Sequence, residues 1–378
     1  MSEWKEYKLG ELISVNAKSI DRNYPHKAIE YLDTGSITRG QIEGFQTFEL
    51  ENAPSRAKRL LKNNDIVYST VRPIQRHYGI VKNPNSNLVV STGFAVLTCD
   101  EKKADAKYIY YFLTSDDVVN YLDIVADGST SAYPSLTPDV IADMDILLPS
   151  LHEQKSIASI LSSLDDKINL LHRQNKTLEA LAETLFRQWF VEEAEEGWEM
   201  GKLGDYADVT TGKGLKRHEF DDNGIYPVLG ANGEMGRTNN FLTDNRLILT
   251  GRVGTLGKVY ISEDKVWISD NVLIVRPASN FFYPIYFIIK RTEFENLNVG
   301  STQPLVTQTD LKNIKFKLPS ADILKSYEKQ CSTYFEKISK NKVQIHTLTR
   351  LCDTLLPKLM SGEVRVKEAD RLVEKTNI

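Results

Sequence analysis

The chain has 378 residues, of which 41% are apolar and 26% charged, with a formal net charge of −4. It is long enough for two domains of about 150 residues and apolar enough to bury their cores, which excludes a disordered chain. A net negative protein does not coat nucleic acid by charge alone, because phosphate binding draws on clustered Lys and Arg.

The opening MSEWKEYKLG puts charge where a signal peptide has its apolar core, so a cytoplasmic protein is expected. Cys99, Cys331 and Cys352 are far apart, with neither metal-ligand spacing nor an even count for a disulfide framework. Residues 1–150 read as a first globular domain. Strand-like runs at 66–69, 88–90 and 94–98 alternate with Gly, Asn and Pro signals. Between residues 39 and 82, Arg39, Arg56, Lys58, Arg59, Lys62, Arg72, Arg76 and Lys82 outnumber Glu43, Glu49, Glu51 and Asp65, which permits a local basic face.

Sequence-specific reading of DNA needs Arg or Lys for guanine edges, Asn or Gln for adenine and small hydroxyls for either. Arg72, Gln75, Arg76 and His77 follow a strand-like run, and Thr92, Ser129, Thr130 and Ser131 sit in polar turns. Tyr108, Tyr110, Tyr111 and Phe112 read as core rather than as a base-stacking platform.

Residues 151–196 read as a long helix. Apolar residues at Ile157, Leu161, Leu164, Ile168, Leu171, Leu178, Leu185 and Trp189, with Asn175 and Ala182 filling the gaps, step alternately by four and three, the heptad seam of a helix packed on a long partner. Asp165 and Asp166 are expected on its flank, solvated or facing a partner.

Residues 197–320 repeat the first domain. Trp4, Lys8, Leu9, Gly10 and Val15 return as Trp198, Lys202, Leu203, Gly204 and Val209. Gly128-Ser129-Thr130 returns as Gly300-Ser301-Thr302, and Leu148-Pro149-Ser150 as Leu318-Pro319-Ser320. An internal duplication of this kind determines the architecture. Strands are expected at 247–250 and 272–275, and the glycine-rich stretches at 212–214, 230–236 and 251–257 as tight turns, since none has phosphate-loop or dinucleotide spacing. The membrane is excluded: the densest apolar run, FFYPIYFII at 281–289, is far short of the roughly 20 residues a span needs. Candidate DNA contacts here are Lys213, Lys216, Arg217 and His218; Arg237, Asn239 and Asn240; Arg252, Thr255 and Lys258; and Ser301, Thr302 and Gln303. Arg72 and Arg252 are expected at similar places in the two copies.

Residues 321–378 hold a second long helix and a tail. Its seam, Tyr327, Cys331, Tyr334, Ile338, Asn341, Ile345, Leu348, Cys352, Leu355 and Leu359, matches the first. A two-fold relation between the copies sets the helices antiparallel. Aligned at their midpoints, Leu161 meets Leu355, Ile168 meets Leu348, Leu178 meets Ile338, Ala182 meets Tyr334, and Asn175 meets Asn341, a pair able to specify register. The seam over residues 157–189, at about 1.5 Å per residue, spans roughly 50 Å, so domains near its ends could address one face of a duplex about 34 Å apart.

Several of these stretches resemble the specificity subunits of type I restriction-modification systems, over nearly the whole chain. The Trp and Lys-Leu-Gly phrases at 4–10 and 198–204, LPSLHEQKSIASILSSLDDKI and TLFRQWF within 140–190, and LLPKLMSGEVRV at 355–366 stand in the family's order. The resemblance implies an α+β fold with two mixed target recognition domains in pseudo-two-fold tandem, separated by two long antiparallel coiled-coil helices. It further implies that each domain reads one half of a split, asymmetric double-stranded DNA target. The helices would dock two modification subunits, which bring the adenine methyltransferase site and S-adenosylmethionine; restriction subunits join that core. Residues 129–131 and 301–303 stand where the family's loop is often richer in Gly and Thr. The chain itself is expected to hold no cofactor, metal or catalytic residue. A stand-alone methyltransferase would carry a glycine-rich cofactor loop and an Asn- or Asp-Pro-Pro-aromatic motif, but Asn83-Pro84-Asn85-Ser86 breaks after one proline, and a nuclease would carry a metal-binding cluster of acidic residues and lysine that is not evident. A scaffold that joins partners without DNA is the other rival, and His26, His152, His172 and His346 lack ligand or catalytic spacing.

Overall fold

In the computed structural model, residues 4–128, 134–253, 256–297 and 305–375 are described. The chain divides into two compact units, Met1–His172 with Val343–Ile378, and Arg173–Lys342. The division falls inside both long helices, Leu151–Arg187 and Ala321–Met360. Each unit therefore owns one globular domain and a portion of each helix.

In the first unit a four-stranded antiparallel sheet has the order Ile13–Val15, Phe94–Cys99, Asp65–Ser69, Tyr78–Val81. A second sheet runs Gln46–Glu49, Ala28–Leu32, Leu88–Ser91, Ala57–Leu60, with its middle pair parallel. Both are rich in Val, Ile and Tyr, which suit a pleated, half-buried surface. The expected runs at 66–69, 88–90 and 94–98 all lie in these strands. Lys5–Lys8 pairs with Asp145–Leu148 just before the long helix begins.

The second unit repeats this plan. Ala207–Thr211, Val272–Pro277, Leu247–Gly251 and Val259–Ser262 form the antiparallel sheet. Gly233–Thr238, Tyr226–Gly230 and Trp267–Ile268 form the smaller one, again with one parallel pair. Met200–Lys202 pairs with Lys315–Lys317.

The glycine-rich stretches differ from expectation. In 230–236 only residues 231–232 turn; Gly233–Thr238 is a strand, because pairing with Tyr226–Gly230 supplies what its residue types do not. Gly251 likewise ends a strand. Gly212 is required by close approach, since a Cβ there would stand 2.2 Å from the Ser269 carbonyl oxygen.

The helix seams are buried or half-buried along their length, as their period demands. In the first unit Ile157, Leu161, Leu164 and Leu171 share one core with Leu348, Leu355 and Leu359. In the second, Ala182 lies in a core with Tyr327 and Cys331, and the Tyr327 hydroxyl donates to the Ala182 carbonyl at 3.0 Å. Tyr334, the expected neighbour of Ala182, is half-buried against the same core and accepts from Gln330 Nε2. The Asn341 amide donates to Asn175 Oδ1 at 2.8 Å. That bond and the Tyr327 bond together make the helices antiparallel within this unit.

Asp165 is a correction. Expected on the helix flank, solvated or facing a partner, it instead accepts the Tyr111 hydroxyl of its own unit at 2.6 Å, and burial raises the pKa of its carboxyl despite that bond. Tyr108 and Tyr111 are buried, as core aromatics should be. Among the described residues, no helix is long and apolar enough to cross a membrane.

Candidate nucleic-acid interface

An antiparallel sheet brings every second strand end to the same side. In the first unit that side holds the exits of Ile13–Val15 and Asp65–Ser69 and the entries to Phe94–Cys99 and Tyr78–Val81. Arg72, Gln75, Arg76, His77 and Thr92 all fall there. The Thr70 N–H and hydroxyl both donate to the Gly93 carbonyl, at 2.9 and 3.0 Å, which sets Thr92 beside the turn carrying the arginines.

That turn, Pro73–Gln75, is flanked by two left-handed residues that are not glycine, Arg72 at φ 46° and Arg76 at φ 58°. Such a conformation costs roughly 1–2 kcal/mol per residue, so the surroundings must hold it. The Arg72 N–H donates to the Pro134 carbonyl at 3.1 Å, the Ile74 N–H to Asp123 Oδ1 at 3.0 Å, and the Arg76 guanidinium pairs with Asp116 at 2.8 Å. Strain held at one place is a pointer to function.

The candidates on this side are not equivalent. Arg72, Gln75 and Thr92 are exposed. Arg76 is committed inward: burial opposes its charge, but Tyr78 and Asp116 outweigh burial and raise its pKa. His77 Nδ1 lies 2.6 Å from the Ile37 carbonyl and donates to it, which turns one face of the ring away from solvent. Ser129, Thr130 and Ser131 lie outside the described residues.

The matching side of the second sheet gathers Lys213, Arg252 and Lys258. Lys213 N–H donates to the Ile268 carbonyl, and Arg252 N–H to the Asn271 carbonyl. Arg252 Nε is buried without a hydrogen-bond partner among the described residues, while Lys258 Nζ is held by the Asn232 carbonyl at 2.6 Å. The expected equivalence of Arg72 and Arg252 needs correcting by two residues. Leu136 N–H bonds the Thr70 carbonyl as Val306 N–H bonds the Arg252 carbonyl, so Thr70 is the counterpart of Arg252.

Arg237, Asn239 and Asn240 fall elsewhere, at the end of the Tyr226–Gly230 hairpin away from its turn. Arg237 is held at all three guanidinium nitrogens, donating to the Gly224 and Ile225 carbonyls at 2.7 and 2.8 Å and to Glu234 at 3.0 Å. Asn239 donates to Asp221 at 2.7 Å. Asn240 is exposed, as are Lys216, Arg217 and His218 around a short turn. Thr255, Ser301, Thr302 and Gln303 lie outside the described residues.

The same duplication emerges from comparison with known proteins. A family model described as the type I restriction modification DNA specificity domain matches residues 1–180 and again residues 195–351. The chain belongs to this family. The HindI type I restriction enzyme specificity subunit of Haemophilus influenzae is 24% identical over 463 residues, spanning 96% of this chain and all of that one. The MjaIX specificity subunit of Methanocaldococcus jannaschii is 25% identical over 353 residues, spanning 82% of this chain and 80% of that one. A type I restriction-modification S subunit from M. genitalium shares the fold, with a TM-score of 0.58 at 20% identity over 95% of this chain and 96% of that one.

Within this type I specificity-subunit fold, three residues at the first sheet end escape a reading by residue type alone. Arg39, itself left-handed at φ 47°, donates its N–H to the Arg76 carbonyl at 2.8 Å, and Arg56 accepts from Thr92 N–H at 2.8 Å. Both side chains are exposed, and both lay in the basic stretch 39–82 without a turn motif to single them out. The third is Ile74, at the apex of the strained turn.

Proposed function

We propose that each sheet end of this specificity subunit reads one half of a split, asymmetric DNA target. The long helices set the separation of the halves and dock two modification subunits. On this reading the chain contributes an address and no catalytic group. The adenine methyltransferase site and S-adenosylmethionine belong to the modification subunits, and restriction subunits join that core.

The observation that supports this best is the repeated sheet end, on which polar side chains collect in both copies: exposed Arg72, Gln75 and Thr92 in one, exposed Lys213 and half-buried Arg252 in the other. Exposed Arg72 has the guanidinium donors that recognise guanine edges and half-buried Arg252 carries the same group, Gln75 has the paired donor and acceptor for adenine, and Lys213 and Lys258 suit phosphates. Arg237 and Asn239, bound to their own unit, serve the fold instead.

Methylome sequencing of cells expressing the chain with its modification subunits should return one bipartite motif with a fixed spacer. Methylation without sequence preference would defeat the reading. Lengthening both helices by one heptad, about 10 Å, should lengthen the preferred spacer, and an unchanged spacer would remove the helices from that role.

A further inference from the structure

Isoleucine is among the residue types most often fully buried, yet Ile74 is 48% exposed. It stands on the turn Pro73–Gln75, with buried Pro73 beneath it and exposed Arg72 and Gln75 on either side. Its position is fixed from three directions: Asp123 holds its own N–H, Asp116 holds Arg76, and the Pro134 carbonyl holds Arg72 N–H. The carboxylates of the neighbouring helix Asp116–Asp127 thus brace the turn. Tyr121 and Ile124, also exposed on that helix, share their face with Asp117 and Asp127, which phosphates repel, so the contact surface ends at the turn.

An apolar group held rigidly between two hydrogen-bonding side chains has a matching target in DNA. In the major groove the thymine methyl is the apolar feature of the base edges, and adenine presents N6 and N7 to a bidentate amide. Gln75 carries that amide, and the thymine paired with its adenine displays a methyl in the same groove. We infer that Ile74 specifies a thymine through its 5-methyl group, at or beside the A·T pair that Gln75 reads. The inference rests on the chain reading DNA as proposed above and deepens it by naming an apolar reader.

The test uses the full chain with its modification subunits and duplexes carrying the motif found by methylome sequencing. Each thymine is replaced in turn by uracil, which removes the methyl and preserves pairing. For the unaltered chain, uracil at one thymine of one half-site should weaken binding about fourfold, the effect of losing one buried carbon. Ile74→Ala should weaken binding to the thymine duplex at least as much and lose its response to uracil at that one position, while still sensing uracil elsewhere. Gln75→Ala should relax the same base pair. Insensitivity of the unaltered chain to uracil at every position, or an Ile74→Ala loss that is the same on every duplex, overturns the inference. Binding of all sequences alike by the unaltered complex would instead defeat the specificity-subunit reading itself. The uracil duplexes with the unaltered chain need no mutant fold, and a thermal melt of Ile74→Ala checks that its half-exposed site leaves the domain intact.

Discussion

At the first sheet end the candidate readers sit largely on one strained turn, residues 72–76, whereas at the second they are spread over two strand connections, Lys213 on one and Arg252 and Lys258 on the other. The frame beneath is shared. In both units one backbone bond ties the strand exit to the turn before the neighbouring strand, Thr70 to Gly93 and Arg252 to Asn271, and a second ties it to the segment before a short helix. Strand order and buried faces depend on that frame, while the exposed side chains beyond the strand ends, Arg72, Gln75, Thr92 and Lys213, touch little of the core. What is read can therefore change without disturbing what folds.

The largest expected effect breaks the second end through its backbone. Gly212→Ala puts a Cβ against the Ile268 and Ser269 carbonyl oxygens, and because backbone cannot move aside as a side chain does, a loss of about 3 kcal/mol is expected. Chemical unfolding of the full chain measures it, and a wild-type midpoint would show that the turn adapts. Next come the arginines. Arg252→Ala and Arg72→Ala should each cost about 2 kcal/mol of specific binding and relax the motif in one half alone. Arg237→Ala, which strips three internal bonds, should lower the melting temperature and leave the motif intact. If Arg237→Ala relaxes the motif instead, the assignment of reading and folding roles is reversed.

A smaller effect concerns pH. Burial opposes the charge of Glu179, but Lys290 at 2.8 Å and the Tyr286 hydroxyl at 2.7 Å outweigh it and lower its pKa. A carboxylate with a depressed folded pKa lends stability above its unfolded pKa and loses it as pH falls through the folded value. Because both partners are about a third exposed, Glu179→Gln should cost only about 1 kcal/mol near neutrality, and the difference from wild type should vanish below the ordinary glutamate range in melts taken across pH. The smallest effect is a gain. Asn341 is 1% exposed and its Oδ1 has no partner among the described residues. Replacing Asn175 and Asn341 together by Leu should raise stability by about 1 kcal/mol, while widening the range of spacers the complex accepts. A large loss of stability would mean that the pair does more than hold register.

Periodic features are legible in the sequence. The heptad seam, the duplication and the apolar strands follow from repeating patterns whose physical cause is local. Features that depend on distant partners are not. Arg237 and Arg252 are indistinguishable by residue type, and only folding brings carbonyls 12 and 13 residues away onto Arg237. The strand Gly233–Thr238, poor in β-formers, exists because a neighbouring strand recruits it. Asp165 reads as a flank charge, solvated or facing a partner, because nothing in its helix announces Tyr111, 54 residues earlier. The helix Val366–Lys375 was read as part of a tail, though its Ala369 is fully buried in the core of the first unit.

That last helix bears on how the chain is made. The core that contains Leu9 and Ile13 also contains Leu355, Leu359 and Ala369, so the first unit lacks part of its interior until residues beyond the second unit have been synthesised. The second unit, continuous from Arg173 to Lys342, has all its residues earlier. Domains generally fold as units in order of synthesis; here the order of completion should be inverted, because the earlier part of the first unit must wait, partly open, for the residues that follow Lys342.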